Sequence, residues 1–400
     1  MKSLKVIISF ILSVATAVIG CACTDSESSQ IETIPTEVVT TAPVQETTTF
    51  ESTDDTAVQP ATYNYVAIKQ KADDITAKFD KIITDEGYKG VTYFKIGNDF
   101  EYINETGYAN TEKHINNSIN TSYYIGSITK QFTALAIMKL SEDGKLSVDD
   151  TLDKYYPSYT AWENITIKNL LTMTSGIENY VVEDSEAENN LCIHEELKKS
   201  VKKDNSKKEN KNAILKWLSK QELNFEAGTK FEYSDSNYYI LGDIIEKVSK
   251  TSYENYMKEN IFEPLKMSRT GFSKPKNTAN SYSETESGKE LLYNGVAYSS
   301  LGLISTTSDL LKWCDALIDN SIVSENSKNE MFTPFKENFA YGVYVDSNRV
   351  SISGRVENYN SMLSYTTDES EVYISLSNDG DCNPLNIFNL FKNSISKYYR

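Results

Sequence analysis

Tyr124-Ile125-Gly126-Ser127-Ile128-Thr129-Lys130-Gln131-Phe132 is the stretch that decides how this 400-residue chain is read. A serine follows Gly126 and a lysine follows the serine at three positions' distance. The segment they open is so apolar, with Phe132, Ala134, Leu135, Ala136, Ile137, Met138 and Leu140, that the helix it forms must be buried. Residues i and i+3 share one helix face, so the Lys130 amine can reach the Ser127 hydroxyl. A serine is a weak nucleophile until a neighbour takes its proton, and a lysine whose charge is disfavoured by burial can do that.

The bare spacing carries little by itself. Ser200 with Lys203, Ser273 with Lys276 and Ser394 with Lys397 repeat it. Those pairs lie in a charged loop, a polar loop and the terminal helix, so context singles out Ser127. Other segments follow in order: Asp143–Leu152 (DGKLSVDDTL), Ile165–Ile177 (ITIKNLLTMTSGI) and Ile261–Met267 (IFEPLKM). Together with the Ser127 motif they resemble the serine beta-lactamase and DD-peptidase superfamily, the class C beta-lactamase-like and penicillin-binding-protein-like hydrolases. The resemblance implies that Ser127 is acylated.

The second motif of that family is a tyrosine, any residue, then asparagine. Phe231–Gly242 (FEYSDSNYYILG) places Tyr233 there. The resemblance implies that its phenol shares a proton with Lys130 and passes it to the leaving group. Asp235 stands where the family has asparagine, and a carboxylate cannot donate the amide hydrogen bond. At roughly 4 Å and an effective dielectric near 20, it would attract Lys130 by about 4 kcal/mol before desolvation. Asp235 is therefore expected to hold Lys130 protonated and to move the base role toward Tyr233.

The third motif, Lys or His, then Ser or Thr, then Gly, falls on Ile352-Ser353-Gly354, without the cation. Arg269-Thr270-Gly271 is closer in residue type but lacks the strands that should follow it. Arg355 is three residues from Ile352 and so on the opposite face of a regular strand. Backbone amides of Ser127 and Arg355 could still form the oxyanion hole that the resemblance implies. A substrate carboxylate loses its usual donor, a cost of roughly 1.5 to 3 kcal/mol, so peptides ending in D-Ala and beta-lactams are expected to bind poorly.

Outward from these motifs, apolar spacing predicts a helix over 63–84, then a hairpin of strands 91–96 and 100–103 around Gly97, Asn98 and Asp99. The middle is mostly helical, over 128–140, 167–173, 213–218, 238–248, 253–261 and 308–317. Short strands return at 341–345, 362–365 and 371–376, before a helix over 385–395. The expected fold is α+β, of beta-lactamase/transpeptidase type. An antiparallel sheet from both chain ends (62–124 and 336–400), flanked by helices, encloses a mostly helical part (125–335). Residues 181–212, acidic first and basic later, read as a solvated insertion.

The first twenty residues begin with Lys2 and Lys5 and continue apolar to Gly20, too short and too early for an ordinary span, which reads as an export signal. Val18-Ile19-Gly20-Cys21 resembles a bacterial lipobox, whose cysteine would carry the acyl chains of an anchor. Residues 21–61, rich in Thr, Ser, Glu and Pro, have the composition of a tether with a reach of about 35 Å. These features predict an extracytoplasmic domain, 62–400, anchored to the membrane through lipid on Cys21.

The formal charge is −17, with no basic stripe, which argues against nucleic acid as partner. The chain has two histidines, His114 and His194, both expected at the surface, so no zinc site, Ser-His-Asp triad or other cofactor is implied. Cys192, Cys314 and Cys382 leave room for one disulfide at most, and Cys314 sits at the spacing of a core residue. The leading expectation is a surface serine hydrolase acting on an ester or amide, a small molecule or peptide, with cell-wall D-amino-acid fragments as candidates. The alternative is a binding or regulatory lipoprotein of the same fold without turnover.

Overall fold

A computed structural model describes residues 63–183, 191–282 and 289–398, all within one unit that spans residues 62–400. The export signal, Cys21 and the tether lie outside the described residues. The predicted first helix is interrupted at Lys71, whose backbone (φ −117°, ψ 16°) leaves the helical region; α1 then runs Ala72–Asp85 and buries Ile75, Phe79 and Ile83.

Strands β1 (Gly90–Ile96) and β2 (Phe100–Thr106) form the predicted hairpin. The chain's other end supplies β3 (Tyr344–Asp346), β4 (Arg349–Val356), β5 (Tyr359–Thr366) and β6 (Glu371–Ser377). The six strands lie in the order β2-β1-β6-β5-β4-β3, each pair antiparallel, with Val91 opposite Leu376 where the two chain ends meet.

Helix α1 and the final helix, Pro384–Ile395, cover one face of this sheet. The Phe79 and Phe391 rings stack at 3.8 Å between centroids, and Phe94 meets Phe391 edge-on. Successive side chains of a strand alternate between faces. Tyr93, one residue before Phe94, accordingly points away from Phe391.

The helical part is organised round α2 (Thr129–Glu142), in which every residue from Thr129 to Met138 is buried. A helix apolar all round has no solvent face to offer, so it lies at the centre of the domain. Phe132 stacks on Trp313 at 3.8 Å, and Trp313 also donates its indole N–H to Gln131. Further helices follow in chain order: α3 (Lys207–Leu218), α4 (Asp235–Ser249), α5 (Tyr298–Leu301) and α6 (Thr307–Ile318). With these in place, Pro384–Ile395 is α7.

The 181–212 segment departs from its expected solvated character. Val181–Glu183 pairs with Leu191–Ile193, and Val181, Ile193, Leu197 and Val201 are buried. Helix α3 begins inside the segment, with Ser206 and Glu209 forming a capping box. The charges are real, but apolar residues spaced between them anchor the backbone. His194 is correspondingly half-buried, its ring 4.9 Å from that of Trp217, whereas His114 is exposed. Cys192, Cys314 and Cys382 are buried, and burial pushes the Cys314 thiol well above its ordinary range.

Candidate active site

Ser127 lies in a tight turn, Gly126–Ile128, that leads directly into α2. Gly126 has φ +51°, a left-handed conformation that glycine adopts without strain. A β-carbon there would lie 2.5 Å from the Arg355 nitrogen. At Gly354 a β-carbon would lie 2.1 Å from the Ile125 carbonyl oxygen. The Ser361 hydroxyl donates to that same carbonyl at 2.9 Å. The two glycines thus let the turn that carries Ser127 sit flush on β4, with the Arg355 amide beside the Gly126–Ser127 backbone.

At the second residue of α2, the fully buried Lys130 ammonium donates to three acceptors: Ser127 Oγ at 2.9 Å, Asp235 Oδ1 at 2.5 Å and the Ser300 carbonyl at 3.2 Å. An ammonium has three N–H donors, so this set is complete for the charged form. The Tyr233 hydroxyl donates to Ser127 Oγ at 2.9 Å. Its ring meets Phe339 edge-on, and Lys130 Nζ lies 5.0 Å from the ring centre.

Asp235 opens α4, where the helix N-terminus favours negative charge. Its backbone N–H donates to Asn179 Oδ1 at 2.9 Å, tying the helix start to the opposite loop. Burial lowers the Lys130 pKa from its ordinary 10.5, with the Asp235 carboxylate working against that shift. Burial also pushes the Tyr233 phenol well above its ordinary 10, and the Asp235 charge adds to the rise.

The residues singled out in the sequence divide in the structure. Ser127, Lys130, Tyr233 and Asp235 converge on one point. Ile352 does not join them: it is 3% exposed and packed in the apolar core, so its side chain offers no surface to a substrate. Ser353 and Arg355, on the other side of β4, are partly exposed. Arg269 also stays away from the cluster: its amide donates to Asp309 and its guanidinium to the Asn120 carbonyl.

Three contributors had no sequence signal. Asn179 acts through a loop amide, and Ser300 through its main-chain oxygen. At Gly342 (φ +79°) a β-carbon would come within 2.9 Å of the Lys130 carbonyl. Among the described residues no cluster of His, Cys, Asp and Glu suited to a metal ion occurs.

A sequence model of the family described as Beta-lactamase matches residues 75–385. PbpX of Bacillus subtilis is 28% identical over 345 residues, covering 84% of this chain and 82% of PbpX. Protein flp of Staphylococcus aureus (strain N315) is 29% identical over 335 residues, 76% of this chain, and the match spans 63% of flp. Among solved structures, a penicillin binding protein from Bacillus halodurans superposes with a TM-score of 0.67 at 24% identity, covering 79% of this chain and 98% of that one. D-amino acid amidase from Ochrobactrum anthropi SV3 gives 0.65 at 18% identity, covering 81% and 99%. At these identities the two structures are alike in fold.

Proposed function

The chain belongs to the beta-lactamase family, and from that membership we propose that it is a serine hydrolase forming an acyl-enzyme on Ser127, with an ester or amide as substrate. The observation that carries the proposal is the convergence of Lys130 Nζ and the Tyr233 hydroxyl on Ser127 Oγ, each at 2.9 Å. Groups within hydrogen-bond reach of a nucleophile are what proton transfer requires.

The opposite pKa directions favour Lys130 over Tyr233 as the group that takes the serine proton. The transfer of the base role to Tyr233 that Asp235 suggested in the sequence is not favoured, because burial makes the phenolate the costlier species. A proton passing from Lys130 to Asp235, 2.5 Å away, leaves an amine lone pair for Ser127. Tyr233 then serves as the donor to the leaving group. Developing negative charge on the substrate oxygen falls to the amides of Ser127 and Arg355.

We place the domain outside the cytoplasm, held by lipid on Cys21, with D-amino-acid cell-wall peptides as the first substrate panel. The support for this is the Val18–Cys21 motif and the family's penicillin-binding relatives. Cys21→Ser should release the protein from the membrane fraction. The second reading, a binding lipoprotein without turnover, draws on the absent cation at Ile352.

A fluorophosphonate probe followed by intact mass spectrometry separates the two readings. A single adduct that Ser127→Ala abolishes supports the hydrolase; folded protein that stays unlabelled supports the binding role.

A further inference from the structure

Two of the three acceptors of the Lys130 ammonium, the Asp235 carboxylate and the Ser300 carbonyl, come from the first residue of α4 and from α5. The direction of its remaining N–H, the one toward Ser127, depends on where those two acceptors stand.

Tyr180 is fastened to both helices. Its backbone N–H donates to the hydroxyl of Ser236, the residue after Asp235, at 2.9 Å, and that hydroxyl donates to the Glu178 carbonyl at 2.6 Å. At the other end of the side chain, the Tyr180 hydroxyl donates to the Val296 carbonyl at 2.8 Å and shares a hydrogen bond with the Ser300 hydroxyl at 2.9 Å. Tyr180 is fully buried, its ring edge-on to that of Tyr239 at 5.0 Å. A stiff side chain with two rotatable bonds thus spans from the first turn of α4 to the residue whose carbonyl Lys130 uses.

The start of α4 draws on support from outside the helix. Ser234, its N-cap, makes no capping hydrogen bond through its side chain. The first amides of a helix have no partner within it, and Asn179, next to Tyr180, supplies one by accepting the Asp235 N–H. Helices α4 and α5 also meet directly, where the Ser299 hydroxyl donates to the Tyr238 carbonyl at 2.8 Å. That tie lies one turn farther along α4, and residues 178–180 fasten the end that faces Lys130.

We propose that Tyr180 is a positioning residue for proton transfer at Ser127, its hydroxyl holding the Ser300 carbonyl against Lys130 while its main chain holds the helix start that carries Asp235. This rests on the hydrolase reading of Ser127 and adds a residue to that reaction. Without the phenol, the Val296 carbonyl and the Ser300 hydroxyl each lose a partner, and the α5 backbone is free to shift. Lys130 keeps Asp235 but loses its hold on the third acceptor. Its charged form is then less favoured, and its alignment on Ser127 is poorer.

The test is the pH dependence of p-nitrophenyl butyrate hydrolysis by Tyr180→Phe, Ser300→Ala, the double variant and Tyr239→Phe. Tyr180→Phe should lower kcat by about tenfold or more, leave KM nearly unchanged and move the rising limb toward acid. Ser300→Ala keeps the carbonyl and deletes the hydroxyl that Tyr180 meets, so it should do the same, and the double variant should add little. Tyr239→Phe is the control: its buried phenol donates to the Gly295 carbonyl at 2.6 Å, and its loss should lower stability while the limb stays in place. Asp235 and Tyr233, the titratable side chains beside Lys130, are intact in all four.

Lys130 is also titrated directly, by NMR of its ε-carbon in lysine-labelled Ser127→Ala, where Tyr180→Phe should lower the midpoint without any need for turnover. A limb and a midpoint that stay in place in folded Tyr180→Phe, or in Ser300→Ala where the first variant does not fold, overturn the proposal. An equal shift in Tyr239→Phe overturns it too. If the midpoint moves while fluorophosphonate leaves Ser127 unlabelled, the hydrolase reading fails and the hold of Tyr180 on Lys130 stands.

Discussion

Lys130 Nζ and Asp235 Oδ1 lie 2.5 Å apart in the centre of the domain, and the same ammonium reaches Ser127 at 2.9 Å. Lys130 is thereby poised between two forces. Burial disfavours its charge and the carboxylate favours it. Removing either partner of such a pair leaves the other uncompensated.

Asp235→Asn removes the upward pull and leaves burial unopposed, so the Lys130 pKa should fall further. Since the form proposed to react is the amine, the rising limb of kcat/KM against pH should move toward acid. A limb that stays in place would mean that the titrating base is not Lys130.

Tyr233→Phe keeps the ring against Phe339 and deletes the hydroxyl that donates to Ser127. Turnover should drop by about 10²- to 10⁴-fold, while the melting temperature changes by no more than a few degrees. A rate within threefold of the parent would remove Tyr233 from proton transfer.

Gly126→Ala should destabilise the fold by clearly more than Gly144→Ala. Both positions have positive φ, +51° and +66°, so both carry the backbone cost of about 1 to 2 kcal/mol. Around Gly144 nothing lies within 4 Å, whereas at Gly126 the new methyl meets β4. Urea unfolding of the two variants measures the difference, which reports the contact between the Ser127 turn and the sheet.

Glu371→Ala should cost about 3 to 5 kcal/mol in the same assay. The Glu371 carboxylate is fully buried, pairs with Arg349 and Lys392, and accepts from the Tyr63 hydroxyl. It joins the start of the described chain, the sheet and α7. A loss below about 1 kcal/mol would show that the two cations find water or other acceptors.

Ser127, Lys130 and Tyr233 could be read from the chain because each signal is local: a fixed spacing from a turn into the helix it opens, and a tyrosine just ahead of another helix. Apolar periodicity likewise announced α2, the β1–β2 hairpin and the last helix, since each repeats a pattern of its own element. The 181–212 segment misled because its charges outnumber the four apolar residues that pin it down. Asn179 and Ser300 left no trace, as one acts by accepting a backbone amide and the other through a main-chain carbonyl that every residue possesses.

The sequence by itself determined the family, the order of the motifs, the sheet built from both chain ends and the burial of the central helix, all properties of spacing and composition within short windows. Only the tertiary structure decided that the expected partner of Lys130 stands 2.5 Å from it although 105 residues separate the two, that Asn179 and the Ser300 carbonyl complete the arrangement, and that Ile352 belongs to the core. These depend on which elements meet when the whole domain packs. Distances between elements remote in sequence are set by the packing of the whole domain, and no local pattern encodes them.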